Sequence, residues 1–208
     1  MVLDIFYIYP MATDEIIQLK ITLEGSSPPI WRRLLIEKNN TFEQLHYAIQ
    51  IAFGWENGHL HDFRIADKVR IMEIMEDDLG FDPGFGRMQV LNEEETILGD
   101  HLTTEKQRIQ YQYDFGDSWY HTITVEKFLP RELGRHYPTC IKGKLNTPPE
   151  DVGGIWGFYD FVEAMANKKH PEHKEMNEWY SGPYDPEYFD MEAINEELVD
   201  FWKEEFGK

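Results

Sequence analysis

Ile17, Leu19, Ile21 and Leu23 alternate with Gln18, Lys20 and Thr22, and a period of two predicts a half-buried strand. Ser26-Ser27-Pro28-Pro29 ends it. Trp31 to Ile36 reads as a second strand, with Arg32 and Arg33 on opposite faces. The period then lengthens. Thr41 and Gln44 have the spacing of a capping box, Phe42, Leu45, Ile49, Ala52 and Phe53 fall on one helical face, and Gly54 closes the helix. His61–Ile65 and Val69–Ile74 flank Asp67-Lys68 as a hairpin. Arg108–Phe115 and Trp119–Phe128, joined through Gly116-Asp117-Ser118, form the strongest predicted strand pair. Ile109, Tyr111, Tyr113 and Phe115 share one face of the first strand; Trp119, His121, Ile123 and Val125 share one face of the second. Pro130 to Trp156 reads as a long irregular segment. Helices follow over Phe158–Ala166, Glu172–Tyr180 and Met191–Phe206, the last capped by Asp190 with Met191, Ile194, Leu198 and Phe201 as its apolar stripe. Strands first and helices last predict an α+β fold. Its sheet is antiparallel or mixed, with hairpins, helices packed on one side and a C-terminal helical segment.

No repeat or low-complexity tract divides the 208 residues. A single domain over 1–208 is expected, with 1–15 as an N-terminal extension and 76–88 as a mobile acidic insertion. Gly84-Phe85-Gly86 within that insertion lacks the flanking strand, helix and Gly-Lys-Ser/Thr of a phosphate loop. Its acids also miss the calcium-loop register. Val2 to Tyr9 has no basic flank, holds Asp4 and stops at Pro10, so neither a secretion signal nor a membrane span is expected, and the cytoplasm is the default compartment.

Charge narrows the partners. With 20 basic against 39 acidic residues the formal net charge is -19. That excess repels phosphate at long range, so non-specific nucleic-acid binding is not expected, and no basic patch is visible along the chain. The expected partner is an unidentified protein or small molecule, with no membrane. The acids near the C-terminus, Glu192 to Glu205, read as a solvated helix face. Cys140 is the only cysteine, which excludes an internal disulfide and a thiolate zinc knuckle.

The chemistry on offer is imidazole and carboxylate. His59 and His61 are two apart and point to one side if Leu60 lies in a strand. Asp114, Asp117 and His121 lie on or beside one hairpin, and Glu150 and Asp151 can approach from the long loop. No organic cofactor is implied; a divalent metal is the one ion this donor set suits, and a metal-assisted hydrolase is the sharp reading. The plainer reading is a satisfied polar core: His121 shares an apolar face with Trp119 and Ile123, and Asp117 and Ser118 are ordinary turn residues. Ser118 is no hydrolase nucleophile, because its turn joins two strands and lacks Gly-x-Ser-x-Gly.

Pro28-Pro29-Ile30-Trp31-Arg32-Arg33, Leu45-His46 through Gly54-Trp55, His59-Leu60-His61-Asp62-Phe63, Tyr113-Asp114-Phe115-Gly116-Asp117-Ser118-Trp119-Tyr120-His121 and Pro148-Pro149-Glu150-Asp151-Val152-Gly153-Gly154 occur in that order. Gly157-Phe158-Tyr159, Asp185-Pro186-Glu187-Tyr188-Phe189-Asp190 and Asn195 extend the pattern. Together they resemble the plasmid Ri Orf-three-like family, whose members often carry a resolvase-like label as transposon passengers. The resemblance implies an α+β domain without an established activity. Where many members resemble a Cys-rich pattern, this chain has Thr147 and Val152, so a thiolate zinc site is not available to it. The resolvase label finds no support either. Ser26 and Ser27 sit in a Pro-rich turn, without the arginines that a recombinase sets around its scissile phosphate. The expectation is therefore a binding or interaction module associated with plasmids and mobile elements. A metal-dependent hydrolase is its alternative, and resolvase-like DNA processing comes third.

Overall fold

The computed structural model describes residues 15–74 and 88–207. All but Glu15 of the expected N-terminal extension, and all but Met88 of the expected insertion, therefore lie outside the described residues. Strands β1 (Glu15–Leu23) and β2 (Trp31–Glu37) lead into helix α1 (Phe42–Phe53). Then come β3 (His61–Ile65), β4 (Val69–Met72), β5 (Gln89–Asn92), the single turn α2 (Leu98–His101), β6 (Arg108–Tyr113), β7 (Trp119–Pro130) and β8 (Thr139–Lys144). Helices α3 (Gly154–Ala166), α4 (His173–Tyr180) and α5 (Met191–Phe206) close the chain. The strands form one eight-stranded sheet in the order β5-β4-β3-β6-β7-β1-β2-β8. Only β4–β5 is parallel, so the sheet is mixed and the fold is α+β.

Period-two alternation sorts the sheet into two faces. Ile17, Leu19, Ile21, Leu34, Ile36, Phe63, Tyr111, Tyr113, Trp119, Ile123 and Val125 are buried against Phe42, Leu45, Ile49, Ala52 and Phe53 of α1, with Leu198 and Trp202 of α5 in the same core. The capping box at Thr41 and the left-handed Gly54 delimit α1 where the sequence puts them. Asp190 caps α5, its Oδ1 accepting from the amides of Glu192 and Ala193 at 3.0 Å. On the opposite face a small cluster of Ile16, Leu35 and Tyr137 closes one end; elsewhere that face carries Gln18, Lys20, Thr22, Arg33 and their cross-strand partners, half-buried.

Arg32 points into the core side and is buried. Its guanidinium donates to the carbonyls of Ala52, Trp31 and Lys144 and stacks on Phe53 and Phe189. Burial pushes its pKa down to about 10. Arg33, on the other face, forms a bidentate pair with Glu126.

Three differences from the sequence reading have physical causes. The segment from Pro130 to Trp156 is not wholly irregular: Thr139–Lys144 is an edge strand. Its exposed edge is closed by the Asn195 side chain, which accepts from the Cys140 amide at 2.7 Å and donates to the Cys140 carbonyl at 2.9 Å. Two lysines and a glycine in six residues hide its period. The short β5 and α2, with too few residues to show a period, were not expected. Phe115 does not continue β6, because Asp114 adopts a left-handed φ of 53° and turns the chain outward.

Candidate functional site

Helix α1 presents His46 toward the segment that enters β3. Its Nδ1 lies 2.8 Å from the Tyr111 hydroxyl and its Nε2 2.6 Å from Asn57 Oδ1. The amide oxygen can only accept, so the proton sits on Nε2 and the Tyr111 hydroxyl donates to Nδ1. Gln50 Nε2 donates to that hydroxyl at 3.0 Å, and Gln50 Oε1 accepts from the Asn57 amide at 3.1 Å. The imidazole of His61 stacks flat on His46, with ring centroids 3.4 Å apart and planes 4° apart. His61 Nε2 meets Glu93 Oε2 at 2.6 Å.

Burial decides the protonation of this group. It holds His46 well below the usual range, with His61 beside it adding in the same sense, and brings His61 down to about 4. It pushes Glu93 up to about 8, with Glu94 adding repulsion. The pair is therefore neutral at pH 7, with the Glu93 carboxyl donating to His61 Nε2. A charge on either stacked imidazole would repel a second one at van der Waals contact.

A cavity of about 370 Å³ opens beside the stack. Among the described residues it is lined by Glu43, His46, Tyr47, Asn57, Gly58, His59, Leu60, His61, Met72, Glu73, Glu93 and Glu94, with no lysine or arginine. Glu43 is raised by burial and then by Glu94, Glu93 and Glu73, so acidic groups crowd this wall.

A second cluster lies where the β6–β7 hairpin meets the 148–153 loop. His59 Nε2 is 3.0 Å from Asp151 Oδ1 and 3.8 Å from Asp114 Oδ2. One donor atom from each of the three lies within 4.8 Å of the other two. Asp114 and Asp151 both have left-handed backbones, which aspartate tolerates better than most residues. The loop is pinned by Trp55 Nε1 donating to Pro148 O at 2.9 Å and by the Tyr113 hydroxyl donating to Glu150. The amides of Glu56 and Gly58 donate to Glu150 Oε2 and the Tyr113 hydroxyl, both at 3.0 Å. Asp117 Oδ2 accepts from the Gly153 amide at 3.0 Å. Gly154 sits so close that a Cβ there would lie 2.5 Å from the Asp117 carbonyl oxygen.

Of the seven residues named from sequence, His59, Asp114, Asp117, Glu150 and Asp151 thus gather at the hairpin–loop junction. His59 and His61 do not point together from one strand. Leu60 precedes β3 and is exposed, so His59 turns to Asp151 and Asp114 while His61 turns to Glu93. His121 is apart from both, with no exposed surface, edge-on to Phe53 and Trp55 and with Nδ1 3.1 Å from the Trp119 carbonyl oxygen. His46, Asn57, Glu43 and Glu93 were not singled out from sequence. The signals were present, namely a histidine on the apolar side of α1 and the acid run Glu93-Glu94-Glu95, but nothing local joins them.

The sequence matches the plasmid pRiA4b ORF-3-like protein family over residues 15–193. It is 32% identical over 189 residues to the uncharacterized protein y4hQ of Sinorhizobium fredii (strain NBRC 101917 / NGR234), an alignment covering 89% of this chain and 91% of that protein. The crystal structure of MM3350, a protein of unknown function from Methanosarcina mazei Go1, superposes with a TM-score of 0.75 at 33% identity, over 86% of this chain and 97% of that one. Neither description states an activity. With most of its length matched to that family pattern, the chain belongs to the plasmid pRiA4b ORF-3-like protein family.

Proposed function

We propose that this protein is a binding module and that its ligand is a small organic cation held in the cavity beside the His46–His61 stack. The observation that carries the reading is the lining itself: four glutamates, three imidazoles and, among the described residues, no lysine or arginine around about 370 Å³. That volume is in the range of small-molecule sites and far exceeds a bare metal ion. Tyr47, Leu60 and Met72 supply apolar wall for a hydrocarbon stem, and the raised Glu43 and Glu93 would relax toward ordinary values beside an ammonium or guanidinium. Titration calorimetry with agmatine and spermidine tests it, with succinate as the anionic control. Saturable binding of an amine, weakened at least tenfold in Glu43→Gln/Glu94→Gln, is the expected result. No heat with either amine, or equal heat in that variant, would overturn it.

A second reading rests on a separate observation, the convergence of His59, Asp114 and Asp151. Those three donors suit a divalent metal, and the exposed Asp151 leaves room for water on the ion, the arrangement a metal-dependent hydrolase uses. Elemental analysis after dialysis tests it: stoichiometric metal, lost in His59→Ala, supports the hydrolase reading. A cytoplasmic setting is part of the proposal, in keeping with the one buried free thiol, Cys140.

A further inference from the structure

The net charge of -19 is not spread evenly. Cross-strand register lines up Lys142, Arg33, Lys20, Thr124 and Arg108 as one continuous row over β8, β2, β1, β7 and β6 on the open face of the sheet. A parallel row runs Lys144, Trp31, Thr22, Thr122, Gln110 and Arg64. Four strand spacings make the first row roughly 19 Å long. Asp62 and Glu126 are acids on these strands' open side, and Glu24 reaches over the second row to accept from the Thr122 hydroxyl at 2.7 Å. The first two are engaged, Asp62 with Arg64 and Arg70 and Glu126 with Arg33. Lys20, Arg108, Lys142 and Lys144 form no ion pair among the described residues. A depression of about 290 Å³ lined by Arg64, Asp67, Arg108, Gln110 and Thr122 adds the Gln110 amide, with Asp67 at its rim. The sequence hides this surface, because its cations come from five different strands and only the register of the sheet brings them together.

We propose that this open face binds single-stranded nucleic acid through its phosphates. Cations, hydroxyls and amides in a row supply what a phosphodiester backbone accepts, and half-buried Trp31 and Tyr120 lie among them as ring surfaces. Trp31 already carries Lys20 and Arg33 at 5.0 Å from its centroid, so backbone contacts dominate over base stacking and sequence preference is weak. A flexible single strand can follow the row from strand to strand of a twisted sheet, whereas a duplex holds its phosphates on a fixed curve. The distant acids are screened beyond about 8 Å at physiological salt and do not cancel the local field.

Fluorescence anisotropy with a short labelled oligothymidylate tests the assignment in the intact protein. Binding is expected, with log K falling against log salt at a slope of roughly -3, the value for about four neutralised phosphates on a single strand. Arg108→Glu/Lys142→Glu should weaken it at least tenfold; both side chains are exposed, and an unchanged thermal melt verifies the fold. Glu94→Gln, in the cavity on the other side, should leave it unchanged. No binding at low salt, binding indifferent to the double charge reversal, tighter binding of the matching duplex, or equal competition by poly-glutamate would each overturn the proposal, the last in favour of an acidic protein partner.

Discussion

His121→Ala separates a core histidine from a ligand, and the structure gives the size of the effect. The imidazole is wholly buried, 4.8 Å from the Phe53 ring and 5.4 Å from Trp55. Truncation leaves a void among those rings and deprives the Trp119 carbonyl of its Nδ1–H donor. Lost packing and one lost hydrogen bond, partly offset because the buried Nε2 has no hydrogen-bond partner among the described residues, amount to about 3 kcal/mol at neutral pH.

Acid should shrink that penalty. Burial pushes His121 down to about 3, whereas the unfolded chain titrates near 6.5. Between those values the unfolded state binds a proton that the folded state refuses. The stabilisation is therefore complete above about pH 6.5 and is lost as pH falls toward 3. At about pH 5 the parent has lost about 2 kcal/mol through this one group. The alanine variant carries no such loss, and His46 and His61 contribute equally to both proteins. The gap between parent and variant should therefore narrow from about 3 kcal/mol near pH 7.5 to about 1 near pH 5. Urea melts at the two pH values, with and without a chelator, measure it. A gap independent of pH would refute the neutral buried histidine. A chelator effect present in the parent and absent from the variant would make His121 a metal ligand instead.

Asn195→Ala should cost about 1–2 kcal/mol, because both backbone groups of Cys140 on edge strand β8 lose their partner; faster hydrogen exchange confined to β8 would accompany it. Gly154→Ala combines a φ of +67° with a Cβ 2.5 Å from the Asp117 carbonyl oxygen. It should cost at least about 1 kcal/mol and loosen the 148–153 loop, which a lower melting temperature and easier proteolysis there would register. Glu93→Gln should flatten the pH profile between about 4.5 and 8. The raised carboxyl stabilises the fold below its unfolded value, and that contribution disappears as pH rises through about 8; thermal melts near pH 5.5 and 8.5 compare the two.

Legibility in the sequence followed element length and locality. Helix α1 carries its own start and stop signals, and α5 its own cap, so both are written within a few residues. The β6–β7 hairpin shows its period over enough residues to be seen. Strand β5, four residues long and paired in parallel with β4, has no such local statement. The same holds for the site. His59, Asp114, Asp117, Glu150 and Asp151 stood out because acids and a histidine interrupt apolar or glycine-punctuated sequence. The His46–His61–Glu93 group could not be assembled, because His46 reads as one more position on the buried side of a helix and its partners are supplied by tertiary packing.

The two surfaces are joined through the register of one strand. In β3, His61 faces the cavity and the next residue, Asp62, faces the open side beneath the guanidiniums of Arg64 and Arg70. A slip of a single residue against β6 would exchange them, placing a carboxylate against His46 and an imidazole among arginines. What forbids the slip is Phe63, which has no exposed surface and packs 5.1 Å from the Phe42 ring and 4.8 Å from Tyr111. The same Tyr111 donates to His46 through its hydroxyl. Packing of one phenyl ring thus sets both the neutrality of the stacked imidazoles and the sign of the opposite face, although Phe63 touches neither ligand. A large-to-small change at Phe63 should therefore disturb amine binding and nucleic-acid binding together, whereas the glutamate and arginine variants above disturb one each.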